Sequence, residues 1–137
     1  HRKPKLLYIG FGETDDWAHE GRYDMYIQSA LRTDQYIQRI WEFVESTPEY
    51  AGKTTILLTS DHGRGDTHPE WKSHGIKIDG ADRIWTAILG PDTSGKGVLK
   101  NADATQGQAA ATIAALLGLD FTKPFPDAAP VLKGAMK

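Results

Sequence analysis

The stretch that most constrains this chain is Thr54-Thr-Ile-Leu-Leu-Thr-Ser-Asp-His-Gly63. Its uninterrupted Ile56-Leu57-Leu58 run, set among β-branched threonines, reads as a strand buried on both faces. The run stops on Asp61-His62-Gly63. Neighbouring residues in a strand point to opposite faces, but a glycine directly after them lets the backbone turn, so that Asp61 and His62 can both reach one point beyond the strand end. Open α/β sheets keep their ligand sites at the carboxyl ends of their strands. Aspartate and glycine are also ordinary turn residues, so this junction takes its meaning from the rest of the chain.

Lys5-Leu-Leu-Tyr-Ile-Gly-Phe11, closed by Gly12, reads as a first buried strand. A loop from Gly12 to Gly21 follows, holding Glu13, Asp15, Asp16, Glu20 and His19. From about Gly21 to Pro48 the apolar residues Ile27, Ala30, Leu31, Ile37, Ile40, Trp41 and Val44 recur at helical steps. Asp34, which interrupts the stripe, is assigned to the helix surface. The polar stretch Arg64 to about Arg83 carries His68 and His74, and loops of that length inside a domain are usually functional. Ile84-Trp-Thr-Ala-Ile-Leu89 reads as a third strand, with Trp85 in the core, and Gly97-Val-Leu-Lys100 as a short edge strand. Gln106 to Leu117 reads as an Ala-rich helix stopped by Gly118. Pro124, Pro126 and Pro130 make the tail an extended, packed segment. The order implies an α/β fold, a mainly parallel sheet flanked by helices, in a single domain of 137 residues.

Composition narrows the chemistry. Sixteen basic and 18 acidic residues give a net charge of −2, which offers no footprint for nucleic acid. No apolar run approaches the roughly 18 residues that span a membrane. Without cysteine there is no disulfide, thiolate zinc site or thiol nucleophile, so a metal would be held by His, Asp and Glu. The compartment is left open.

Asp15 and His19 are four residues apart, so one helical turn brings them to the same face. They lie beyond the end of one expected strand, Asp61 and His62 lie beyond another, and parallel strands would bring those ends together. His74, before Gly75, sits in the loop entering the third strand and can close the site. Imidazoles with carboxylates suit Zn²⁺ or Mn²⁺, whereas Ca²⁺ would need more oxygen ligands. Two such ions about 4 Å apart can clamp the attacking and leaving oxygens of an in-line displacement at phosphorus.

These residues resemble the alkaline phosphatase superfamily, which includes nucleotide pyrophosphatase/phosphodiesterases, cofactor-independent phosphoglycerate mutases, phosphopentomutases and sulfatases. Glu13-Thr-Asp15-Asp-Trp-Ala-His19 is similar to the Glu-x-Asp-x-x-Gly-His element of the phosphodiesterases, and Leu57-Leu-Thr-Ser-Asp61-His62-Gly63 to their strand ending in Ser-Asp-His-Gly. Ser73-His74-Gly75, with Gly90-Pro91 after a strand, resembles the late His-Gly element. Gln106-Gly-Gln-Ala-Ala-Ala-Thr112 resembles the Gln-x-Asp-Ile-Ala-Pro-Thr helix start, with Gln108 in place of Asp and Ala111 in place of Pro.

The resemblance implies two divalent ions, Zn²⁺ with Mn²⁺ as the alternative, one held by Asp15, His19 and His74 and the other by Asp61 and His62. It implies metal-dependent hydrolysis of phosphate esters, by a phosphatase or phosphodiesterase. It also implies that the Ser or Thr nucleophile lies upstream, since Thr14, Thr59 and Ser60 do not open a helix after a strand. The expectation is then the C-terminal half of a larger, incomplete alkaline phosphatase-like domain, with the missing N-terminal half as partner and little turnover alone. The alternatives are a sulfatase or phosphomutase of that superfamily, or a non-catalytic metal- or carbohydrate-binding module using Trp17, Trp71 and Trp85. Asp16 and His68 receive no ligand role.

Overall fold

The computed structural model describes residues 3–99 and 104–137. Among the described residues three α-helices, α1 (Glu13–His19), α2 (Tyr23–Ser46) and α3 (Gln108–Leu116), accompany two strands, β1 (Ile56–Thr59) and β2 (Thr86–Leu89), and one 3₁₀ turn, Glu70–Lys72. The described residues form two compact units, one from His1–Ala51 with His62–Ile84, the other from Gly52–Asp61 with Trp85–Lys137.

The expected parallel α/β sheet is not what forms. Among the described residues the sheet has two strands, and they are antiparallel, with Ile56 opposite Leu89 and Thr59 opposite Thr86. A parallel pair needs a long crossover, usually a helix packed across the sheet. Between β1 and β2 the chain supplies only the Glu70–Lys72 turn, so no crossover helix exists. Residues 5–11 form no strand. Leu7 is 70% and Tyr8 88% exposed there, and Phe11 stacks on Tyr36 of α2 with ring centroids 6.0 Å apart. Residues 97–99 likewise form no strand, and Lys100 lies outside the described residues.

With one neighbour each, the strands keep an open edge. Ile56, Leu57 and Leu58 are half-buried rather than fully buried. Trp85, expected in the core, is 58% exposed, and its carbonyl accepts a hydrogen bond from the Thr59 hydroxyl at 2.9 Å.

In the first unit, Ala18 of α1 is fully buried and α1 packs against α2. The face of α2 that turns inward runs through Met25, Tyr26, Ser29, Arg32, Thr33, Ile37, Ile40, Trp41 and Val44, at three- and four-residue steps. Glu13 ties the two helices, accepting from Ser29 Oγ at 3.3 Å and Arg32 Nη2 at 3.1 Å. At the start of α2, Arg22 forks onto Asp24 at 3.0 and 2.8 Å. That hydrogen bond holds the exposed Asp24 carboxyl below its ordinary range. Its small stabilisation is present above the unfolded carboxylate value of about 3.9 and is lost as pH falls through the lowered one.

In the second unit, α3 ends in a Schellman motif. Gly118, at φ +73°, donates to the Ala115 carbonyl, and Leu119 donates to the Ala114 carbonyl. Its buried face is Gln108, Ala111 and Thr112. The Thr112 hydroxyl donates to the Gln108 carbonyl at 2.7 Å and accepts from the Leu132 amide at 3.0 Å, which fastens the proline-rich tail to the helix. Replacing Thr112 by Val keeps the shape but strands a buried donor. Chemical denaturation should show a loss of about 1–3 kcal/mol, whereas Thr112→Ser should stay within a fraction of that.

Candidate metal centre

Helix α1 is short because Gly12 precedes it and Gly21 follows, but one turn is enough to align Asp15 with His19. The Gly12 carbonyl accepts the amides of Asp15 and Asp16 at 3.0 and 3.3 Å. Glu13, Asp15 and Asp16 crowd its first turn and His19 lies in its last, the charge order that suits a helix dipole. His19 Nε2 then stands 3.4 Å from Asp15 Oδ1.

Two further histidines arrive from 62–84 of the same unit. The turn that begins at His62 is laced to its surroundings by Gly63 N–H donating to the Ala81 carbonyl at 2.8 Å and Gly65 N–H donating to the Ser73 carbonyl at 3.3 Å. Neither glycine has room for a side chain. A Cβ on Gly63 would run into the carbonyl oxygens of Gly80 and Arg83, and one on Gly65 into the backbone and Cβ of Glu70. His62 Nε2 is 3.6 Å from Asp15 Oδ1, and His74 Nε2 is also 3.6 Å from it. The His62 and His74 rings stack, with centroids 3.7 Å apart and planes 13° from parallel. His19 Nε2 and His74 Nε2 are 3.1 Å apart.

Asp15, His62 and His74 each place one ligand-type atom within 4.8 Å of the others, and His19 borders two of the three. Four of the six spacings among these residues, 3.4, 3.6, 3.6 and 3.1 Å, lie near the edges of a tetrahedral site, while His19 stands outside the group of three whose atoms all lie within 4.8 Å of one another. Bonds of about 2.0–2.1 Å to nitrogen and oxygen give ligand–ligand edges of about 3.3–3.4 Å. His62 is oriented as a ligand should be, its Nδ1 lying 2.9 Å from the Gly63 carbonyl. With the proton on Nδ1, that contact fixes the tautomer and leaves the Nε2 lone pair for a metal.

The sequence-derived residues divide as follows. His62 gathers with Asp15, His19 and His74, and the Asp61 carbonyl accepts from Gln106 Nε2 at 3.1 Å. Asp16 and His68 are exposed. Trp71 packs on Tyr23 and Tyr26, with centroid separations of 5.4 and 6.1 Å. An open groove of about 600 Å³ borders the cluster, lined by His62, His74, Ile76, Lys77, Asp79 and Asp82 among others.

One residue escaped the reading from sequence. Arg64 donates through Nη2 to Asp15 Oδ1 and, at 3.3 Å, to the Asp15 carbonyl, and through Nη1 to the Trp71 carbonyl at 3.5 Å. Its side chain is only 14% exposed. The available signal was its place between Gly63 and Gly65, two glycines that allow the backbone on either side to pack closely.

Comparison with protein-family models, curated proteins and solved structures finds no match to this chain.

Because Gly63 is boxed in by backbone oxygens, Gly63→Ala should cost about 1–3 kcal/mol in denaturant unfolding and displace the His62 ring resonances in NMR spectra. Gly12→Ala, where a Cβ meets nothing within 4 Å, should leave both near the parent.

Proposed function

We propose that the chain holds one divalent cation, Zn²⁺ or Mn²⁺, on Asp15, His62 and His74 with His19 beside them, a three-ligand set that keeps a coordination position open, and that this centre serves hydrolysis of phosphate esters. The observation that supports it is the convergence of three imidazole Nε2 atoms on Asp15 Oδ1 at 3.4–3.6 Å. An all-oxygen cation is disfavoured by the nitrogen donors, and a Cys-rich zinc site is excluded by composition.

The reaction class rests on the resemblance of Glu13–His19, Asp61–Gly63 and Ser73–Gly75 to the alkaline phosphatase superfamily motifs. A cation so held would supply Lewis-acid polarisation of a phosphoryl oxygen. Asp15 contributes the one negative charge of the set, which leaves a bound dication net positive and open to an anionic substrate. His62 is steered by the Gly63 carbonyl, and Asp15 and His19 by a helical turn, so the donors are oriented before a cation arrives. The groove beside His62 and His74 gives an ester access from solvent. No nucleophile is assigned among the chain's own hydroxyls, and Asp61 is given no share in this cation.

The test is metal analysis with hydrolysis of p-nitrophenyl phosphate and bis(p-nitrophenyl) phosphate by the full-length gene product. One tightly held Zn²⁺ or Mn²⁺ per chain is expected. His62→Ala and His74→Ala should each weaken it by at least about tenfold and lower turnover in parallel, and His68→Ala should change neither. Metal content and turnover that are indifferent to Asp15→Asn and His74→Ala would sink the reading.

A further inference from the structure

We infer that the loop 95–99, with the segment 133–137 tied beside it, is a docking surface for a lipid bilayer that carries anionic head groups. The inference is independent of the metal centre, since all of its residues belong to the second unit.

The tip of the loop is apolar and open. Val98 is 87% and Leu99 52% exposed, in the stretch that forms no strand. A Cβ placed on Gly95 or Gly97 would meet nothing within 4 Å, and Gly97, at φ +68°, makes the turn that leads into the pair. Single exposed apolar side chains are ordinary on a protein surface. Two in succession, with Lys96 just before them, form a pair that can enter a bilayer while the neighbouring ammonium stays at head-group level.

A second basic stretch is fastened alongside. Ser94 Oγ donates to the Gly134 carbonyl at 2.7 Å, the Lys137 amide to the Asp92 carbonyl at 3.0 Å, and Lys137 Nζ to the Pro91 carbonyl at 2.6 Å. The segments lie so close that a Cβ on Gly134 would be 3.5 Å from Lys96 Nζ and 3.9 Å from a Leu99 methyl group. Lys133, also exposed, precedes that glycine, so Lys96, Lys133 and Lys137 gather around Val98 and Leu99. Residues 91–99 and 131–137 contain one acidic side chain, Asp92, against these three lysines, which makes the patch basic in a chain whose net charge is −2.

This combination decides the occupant. An apolar protein groove would suit Val98 and Leu99 but give the lysines no role, and a free phosphate would suit the lysines but not the apolar pair. An anionic bilayer uses both. Each basic side chain near its surface strengthens binding about fivefold, and the apolar area withdrawn from water adds a contribution that salt does not screen.

Cosedimentation of the chain with vesicles tests this. Vesicles containing about one third phosphatidylserine in phosphatidylcholine should bind the parent at least about tenfold more tightly than pure phosphatidylcholine, and the difference should shrink as salt is raised. Lys96→Glu and Lys133→Glu should each lose at least about tenfold on the anionic vesicles, and Leu99→Asp should lose a similar amount. Because the chain has no cysteine, Leu99→Cys can carry an environment-sensitive fluorophore, whose emission should move to the blue on anionic vesicles alone. Should a substitution unfold the chain, the parent's preference between the two vesicle types decides the matter. Equal binding of the parent to both, folded charge-reversal variants that bind as the parent does, or a label whose emission does not move overturns the inference. Displacement from the vesicles by poly-glutamate at equal charge would assign the patch to an acidic protein and overturns it as well.

Discussion

A single carboxylate oxygen organises the first unit. Asp15 Oδ1 is faced by three imidazole nitrogens and a guanidinium brought from α1, from the turn after Asp61 and from the approach to Gly75. One ionised carboxylate offers about four lone-pair positions on its two oxygens, and four donor groups crowding one of them is more than hydrogen bonding alone requires. At 38% exposure Asp15 is still open to solvent, so the arrangement is reachable by an ion or substrate rather than sealed as a core network. The neighbouring scaffold follows from this point. Glu13, two residues earlier, joins α1 to α2, and Arg64, which bonds Asp15, also bonds the Trp71 carbonyl beneath the Tyr23–Tyr26–Trp71 aromatic group.

The ligand-type residues were more legible in the sequence than the fold was. Asp15 and His19 announce themselves by a four-residue step, a local rule that needs no knowledge of the rest of the chain. His62 and His74 stand beside glycines, where a backbone can turn sharply, and both meet Asp15. Here the turn begins at His62, whose following glycine is buttressed by residues 80–83.

The sheet departs from the expected parallel arrangement for a physical reason. An apolar run such as Leu6–Phe11 signals a strand only when another strand is available to pair with it, and hydrogen-bond partners are non-local information. Strand direction was likewise set by something short sequence windows do not display, the absence of a helix between β1 and β2. Helices fared better because their hydrogen bonds are local. The 23–46 helix, with Pro48 two residues beyond it, and the Gly118 terminus of α3 both follow from residues within a turn of where they act.

The two units alternate along the chain, the first being left at residue 51, resumed at 62 and left again at 84. During synthesis, therefore, β1 leaves the ribosome before the histidines that complete the Asp15 cluster, and waits unpaired until β2 has been made about 30 residues later. At typical elongation rates of about 5–20 residues per second that wait lasts seconds, far longer than the microseconds in which a hairpin can close. For that interval Ile56-Leu57-Leu58 is a bare apolar edge, and Lys53 just before it and Asp61 just after it are the charges that discourage pairing with another nascent chain.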